Sequence, residues 1–154
     1  MDAPESAGRV ETAGGLLYNC TGMEIVVDTS VIIAVLVREP HRAALVQATA
    51  SADLLAPPSV HWEVGNAFSA MFKRRRLTLR AARRALEAYR QIPIRFSDID
   101  LDRALEVAQN FDLYAYDAYV LVCAMQHHCA LLSLDHGLVT AAARAGIKIL
   151  EIQP

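Results

Sequence analysis

Four acidic residues stand beside runs that otherwise look buried: Asp28 after "EIVV", Glu63 within "SVHWEVGNAFSAMF", Asp117 at the head of "YDAYVLVCAM" and Asp135 after "ALLSL". A carboxylate in such a place caps the following helix, or it joins others to hold a cation. Taken singly, each admits the plainer role, Asp28 and Asp135 as N-caps and Glu63 and Asp117 as first-turn acids that suit the helix dipole. Glu63, however, borders the apolar stripe Val60, Val64, Ala67, Phe68 and Met71, and Asp117 shares a face with Val120, Leu121 and Ala124 on a helix apolar almost all round. A charge so placed needs a partner. Two carboxylates ~4 Å apart repel by about 4 kcal/mol at an effective dielectric of roughly 20, so gathering three or four destabilises the fold unless a cation or protons join them. Hard oxygen donors, with water at the remaining positions, suit Mg2+ or Mn2+, whereas zinc takes His or Cys.

The elements that must bring these acids together follow from periodicity. Short β-branched runs at Ile25 to Val27, Leu54 to Ala56, Ile94 to Phe96, Ala130 to Leu134 and Ile147 to Ile152 predict five strands. Helical periodicity predicts Ser30 to Val37, His41 to Ser51, Ser59 to Arg74, Thr78 to Gln91, Asp100 to Phe111, Tyr116 to His128 and His136 to Ala145, with Thr78 and Asp98 as start signals. Strands alternating with helices imply right-handed crossovers and a mainly parallel sheet covered on both faces, an α/β fold. Functional groups of such sheets gather beyond the carboxyl ends of the strands, where Asp28 and Asp135 fall.

The chain has 154 residues, enough for one domain with a sizeable core, and a hydrophobic fraction of 54% excludes a disordered one. No apolar run approaches the roughly 20 residues that span a bilayer. Residues 1–22 are polar and Gly-rich, unlike a secretory signal, and read as a loose tail before a single domain over 23–154, with Met23 a candidate native start. Cys20, Cys123 and Cys129 form no C-x-x-C pair and leave an odd thiol, which fits a reducing cytoplasm rather than a disulfide framework. Between Lys73 and Arg90, eight basic residues stand against Glu87 alone, while the whole chain carries −2. This is the charge asymmetry expected of a phosphate-binding or acid-binding face set apart from an acidic centre.

The segments "IVVDTSVII", "SVHWEVGNA", "YDAYVLVCAM" and "LLSLDHGL", in this order, resemble the PIN-domain ribonucleases, most closely the VapC-type toxins of VapBC toxin–antitoxin pairs. The likeness covers Met23 to nearly the C-terminus. It implies a three-layer α/β/α fold with about five strands, and Mg2+-dependent endonucleolytic cleavage of single-stranded or loop RNA, leaving a 5′-phosphate and a 3′-hydroxyl. It further implies a VapB-like antitoxin partner and a homodimer. Asp28, Glu63, Asp117 and Asp135 take the positions of the family's site acids, with Ser30 as a partner of Asp28. Asp28, Asp117 and Asp135 would hold the metal, Glu63 would orient water or help with a second ion, and Asp112 is a further candidate acid.

Other residues compete for roles. The run "KRRR" suits an RNA backbone, an acidic antitoxin segment or merely a solvated helix end. Tyr114, Tyr116, Tyr119 and Trp62 suit base stacking, though core or interface is the commoner use. His127, His128 and Cys129 have zinc-ligand types, but three adjacent residues cannot face one ion on regular backbone. A non-catalytic PIN-like module that binds RNA or protein, and a phosphatase of the haloacid dehalogenase type, are the alternatives. The phosphatase needs a second acid where this chain has Ser30.

Overall fold

The computed structural model describes residues 22–152. Four parallel strands, β1 (Glu24–Val27), β2 (Asp53–Ala56), β3 (Ile94–Phe96) and β4 (Ala130–Leu132), lie in the order β3-β2-β1-β4. The helices between them are α1 (Thr29–Leu36), α2 (Arg42–Thr49), α3 (Val60–Lys73), α4 (Leu79–Arg90), α5 (Leu101–Phe111) and α6 (Ala115–His127), with α7 (His136–Arg144) after β4. Strand alternation divides the core. Ile25, Val27, Ala56 and Leu132 face one side, packing against α1 to α4, while Val26, Leu55 and Leu131 face the other, packing against α5, α6 and α7. This is the expected three-layer α/β/α arrangement.

The handedness of the crossovers dictates which helices go where. The chain steps from β1 through β2 to β3 with its helices on one face, then crosses back to lay β4 on the other side of β1, with helices on the opposite face. The strand order therefore reverses at β1, and the crevice of such a sheet opens beyond the carboxyl ends of β1 and β4. The Asp28 amide donates to Leu132 O at 3.1 Å, pinning the two strand ends together there.

Helix ends explain most boundaries. Thr78 caps α4 by accepting from the Ala81 amide at 3.2 Å, as expected. The start signal assigned to Asp98 belongs instead to Asp100, whose Oδ1 accepts from the amides of Asp102 and Arg103 at 3.0 and 3.2 Å. The cap must directly precede the first helical residue, here Leu101. The fifth strand is a second correction. From Ile147 to Ile152 the chain pairs with β4 only through the Leu131–Ile149 bridge, with Leu131 N donating to Lys148 O and Leu150 N donating to Leu131 O. β4 itself ends at Leu132, because Ser133 and Leu134 turn toward α7. No helix among the described residues is long and apolar enough to cross a membrane. Residues 1–21 of the expected tail, Cys20 among them, lie outside the described residues.

Burial separates positions that the sequence alone treats alike. Leu55 is fully buried between the sheet and α6, whereas Leu105 on α5 is exposed. Leu55→Ala is expected to cost about 2–5 kcal/mol in chemical denaturation. Leu105→Ala should change stability by less than about 0.5 kcal/mol, and equal losses would contradict the layer assignment.

Candidate functional site

Asp28 is the buried member of the acid group, only 5% exposed, and the local backbone explains how a carboxylate is tolerated there. It sits between β1 and α1 as the N-cap, so Oδ1 accepts from the Thr29 amide at 2.7 Å and Oδ2 from the Ser30 amide at 3.4 Å. Two hydroxyls complete its surroundings, Ser30 Oγ donating to Oδ2 at 2.6 Å and Ser133 Oγ donating to the same oxygen at 2.9 Å. Each serine is fixed in turn, Ser30 Oγ accepting from the Leu134 amide and Ser133 Oγ from the Asp135 amide, both at 3.0 Å. Capping and site formation are thus one arrangement here. The helix amides and hydroxyls hold the carboxylate in one orientation.

The remaining acids arrive from three other elements. Glu63 lies half-buried in the first turn of α3, where Ser59 Oγ donates to its Oε1 at 3.3 Å. Asp117 lies half-buried in the first turn of α6. Asp135 is exposed and caps α7, its Oδ1 accepting from the Leu138 amide at 2.9 Å. The four feel one another. Glu63 is pushed up to about 7 by burial first, then by the charges of Asp28 and Asp117, with the Ser59 hydroxyl partly opposing. Asp117 is raised by burial, then by Asp135 and Asp28. The ion pairs among the described residues, Arg95–Glu24 and Arg103–Glu106, touch none of the four.

Two observations bear on whether a divalent cation suits this group. All the donors are carboxylate or hydroxyl oxygens, the hard set that Mg2+ and Mn2+ take. Thr29 Oγ1, on the residue after Asp28, is buried without a hydrogen-bond partner among the described residues. Both fit a cation with its water. Against this, no three acidic, histidine or cysteine side chains among the described residues stand close enough to form a ready-made ligand shell. The acids are electrostatically coupled without being closed around a point, as like charges are when nothing neutralises them.

Several expected candidates go elsewhere. Asp112 is exposed and ends α5 in a left-handed conformation, with a φ of 56°, and it is not among the charges that shift Glu63 or Asp117. The zinc types scatter, His127 Nε2 bonding Ser97 Oγ at 2.7 Å while His128 ends α6. The basic run lies at the exposed end of α3, and Arg76 and Arg84 line a cavity of about 1000 Å3 shared with Arg38 and Arg42 but with none of the four acids. Trp62, Tyr114 and Tyr116, for which core or interface was the commoner expectation, are exposed. Ser133 is the residue beside Asp28 that sequence reasoning misses. The signal available was a hydroxyl directly after a buried strand, level with Asp28.

Comparison with known proteins follows the same lines. The family model described as PIN domain matches residues 25–144. Among solved structures, PAE2754 from Pyrobaculum aerophilum superposes with a TM-score of 0.63 at 25% identity, over 78% of this chain and 86% of its own. FitAcB from Neisseria gonorrhoeae gives 0.60 at 17% identity, over 82% and 96%. VapC20 of Mycobacterium tuberculosis, a sarcin–ricin loop cleaving toxin, gives 0.59 at 17% identity, over 84% and 99%. Comparison with curated protein sequences finds no match. With four ordered acid motifs, a three-layer parallel fold and a family match spanning most of its length, the chain belongs to the PIN domain family.

Proposed function

We propose that this PIN domain is a Mg2+-dependent endoribonuclease, with Mn2+ as a substitute, acting in the cytoplasm as the toxin of a toxin–antitoxin pair. Its partners on this reading are an RNA substrate, a VapB-like antitoxin and a second copy of itself. The observation that carries the reading is the coupling of Asp28, Glu63, Asp117 and Asp135 at one edge of the sheet, with no basic side chain paired to any of them among the described residues. The likeness in fold to VapC20 and FitAcB supports the toxin assignment.

Asp28, Asp117 and Asp135 would hold the ion. Bound there, it supplies Lewis acidity toward the scissile phosphate and lowers the pKa of a water. Ser30 and Ser133 keep Asp28 fixed, so that it meets the substrate without reorganising. Glu63 would orient the attacking water and take its proton as it attacks phosphorus. The bond from phosphorus to the 3′-oxygen breaks and that oxygen takes a proton from solvent, giving a 5′-phosphate and a 3′-hydroxyl.

The non-catalytic module remains the competing reading, favoured by the absence of a ready-made ligand shell among the described residues. Phosphate monoester hydrolysis of the haloacid dehalogenase type does not suit a PIN chain, and Ser30 stands where its second acid would be.

Cleavage of a panel of unstructured and hairpin RNAs in Mg2+ separates these readings. The wild type is expected to cut with 5′-phosphate ends and Asp28→Asn to lose cutting by at least about a hundredfold, the scale of losing one charge-stabilising group. Intact RNA in every wild-type reaction would favour the module.

Ser133→Ala removes one charge-assisted donor, typically worth about 1.5–3 kcal/mol, and is expected to lower kcat roughly tenfold or more while the protein stays folded by circular dichroism. An unchanged kcat would show that Ser133 does not steady Asp28.

Without metal, folded Glu63 binds a proton between about pH 4.5 and 7 that the unfolded chain has released, so stability should fall as pH rises through that window. Thermal melting in chelator is expected to show this fall, Glu63→Gln to reduce it and Mg2+ to oppose it at pH 8. A slope identical in the variant would contradict the assignment.

A further inference from the structure

Three exposed aromatic side chains flank two of the site acids. Trp62, the single tryptophan of the chain, directly precedes Glu63 and is 74% exposed. Tyr116 directly precedes Asp117 and is 51% exposed, and Tyr114, at the N-cap position of α6, is 86% exposed. Glu63 and Asp117 lie in the first turns of two different helices, so these exposed rings stand at the helix starts that carry the two acids.

Their setting distinguishes them from a packing face. Tyr116 is braced edge-to-face by half-buried Tyr119, the ring centroids 5.8 Å apart and the planes at 87°. Tyr119 in turn packs against the α5 to α7 core. One ring face is thereby steadied while the residue itself stays open to solvent. A large aromatic surface left in water is costly unless something covers it in use. Next to a centre that handles phosphodiesters, the complementary flat apolar surface is an unpaired nucleobase. Base-on-aromatic stacking is the usual means by which proteins grip single strands without reading their sequence.

We propose that Trp62 and Tyr116, with Tyr114 beside them, are stacking platforms for unpaired bases on either side of the phosphate presented to the acids. The proposal rests on the nuclease reading above and assigns the residues that set its preference for splayed nucleotides. A duplex keeps its bases stacked on one another and offers these rings nothing. A single strand or an open loop turns its bases outward and is held at two points, which also limits how far the phosphate can drift from Asp28.

The lone tryptophan makes this testable without any turnover. Emission of the full-length protein is titrated, with Ca2+ in place of Mg2+, against a single-stranded RNA, the same sequence as a duplex and an abasic strand of equal length. Quenching by the single strand alone is expected. In Mg2+, Trp62→Ala and Tyr116→Ala should each raise KM for a single-stranded substrate roughly tenfold with kcat little changed, while Trp62→Phe and Tyr116→Phe keep KM within about threefold of wild type. Equal quenching by duplex or abasic strand, or an unaltered KM in both alanine variants of an enzyme that still cuts RNA, would overturn the stacking assignment while leaving the nuclease. Strand-specific quenching by a protein that cuts nothing would overturn the nuclease and leave the platforms as an RNA-binding surface. Emission that shifts with protein concentration and ignores RNA would place these rings between two copies of the chain and sink the proposal.

Discussion

A buried carboxylate that no basic side chain neutralises among the described residues is the constraint on which this fold depends. Asp28 lies at the end of the central strand among apolar residues, and its charge is borne by two backbone amides and two serine hydroxyls. Those four donors satisfy the oxygens but carry no net positive charge. Glu63, Asp117 and Asp135 add further negative potential from three other elements, and Glu63 is pushed up to about 7 by burial first and then by the charges of Asp28 and Asp117. A structure that needed only stability would replace one of these acids with an apolar or amide side chain. The arrangement makes physical sense when a divalent cation completes it.

The fold supplies the convergence. Parallel strands connected by right-handed crossovers force the chain to reverse direction at β1, leaving the ends of β1 and β4 adjacent with helices departing to opposite faces. Asp28 and Asp135 occupy those ends, while α3 and α6, one on each face, begin with Glu63 and Asp117 in their first turns. Helix N-termini also present free N–H groups and the positive end of the helix dipole, which ease the crowding of acids. The same geometry that caps α1 and α7 places Asp28 and Asp135 at the candidate site, so for these two capping does not compete with the proposed catalysis.

Much of this was legible in the residues because it rests on local periodicity. The helices begin and end within two residues of the expected boundaries, and the parallel α/β order follows from alternation of strands and helices. What escaped depends on distance along the chain. Ser133 reaches Asp28 across more than a hundred residues, a pairing that no local pattern announces. The run from Ile147 to Ile152 has strand composition, but whether it pairs depends on the angle at which the chain leaves α7, and only Ile149 does so. Composition likewise hid the exposure of Trp62 and Tyr116, since an aromatic beside an apolar helix reads the same on either side of the surface. Asp112, a further candidate acid by its nearness in sequence, ends α5 in a left-handed turn, which no local pattern announces.

Mg2+ binding followed by calorimetry, in buffers of different ionisation heat between pH 6 and 8, tests the central claim most directly. A saturable site that releases a proton on binding below about pH 7, as the raised Glu63 gives its own up, is the predicted result. A titration that stays flat, or binding of the same strength with no proton release in a chain lacking the Asp28 carboxylate, would contradict it.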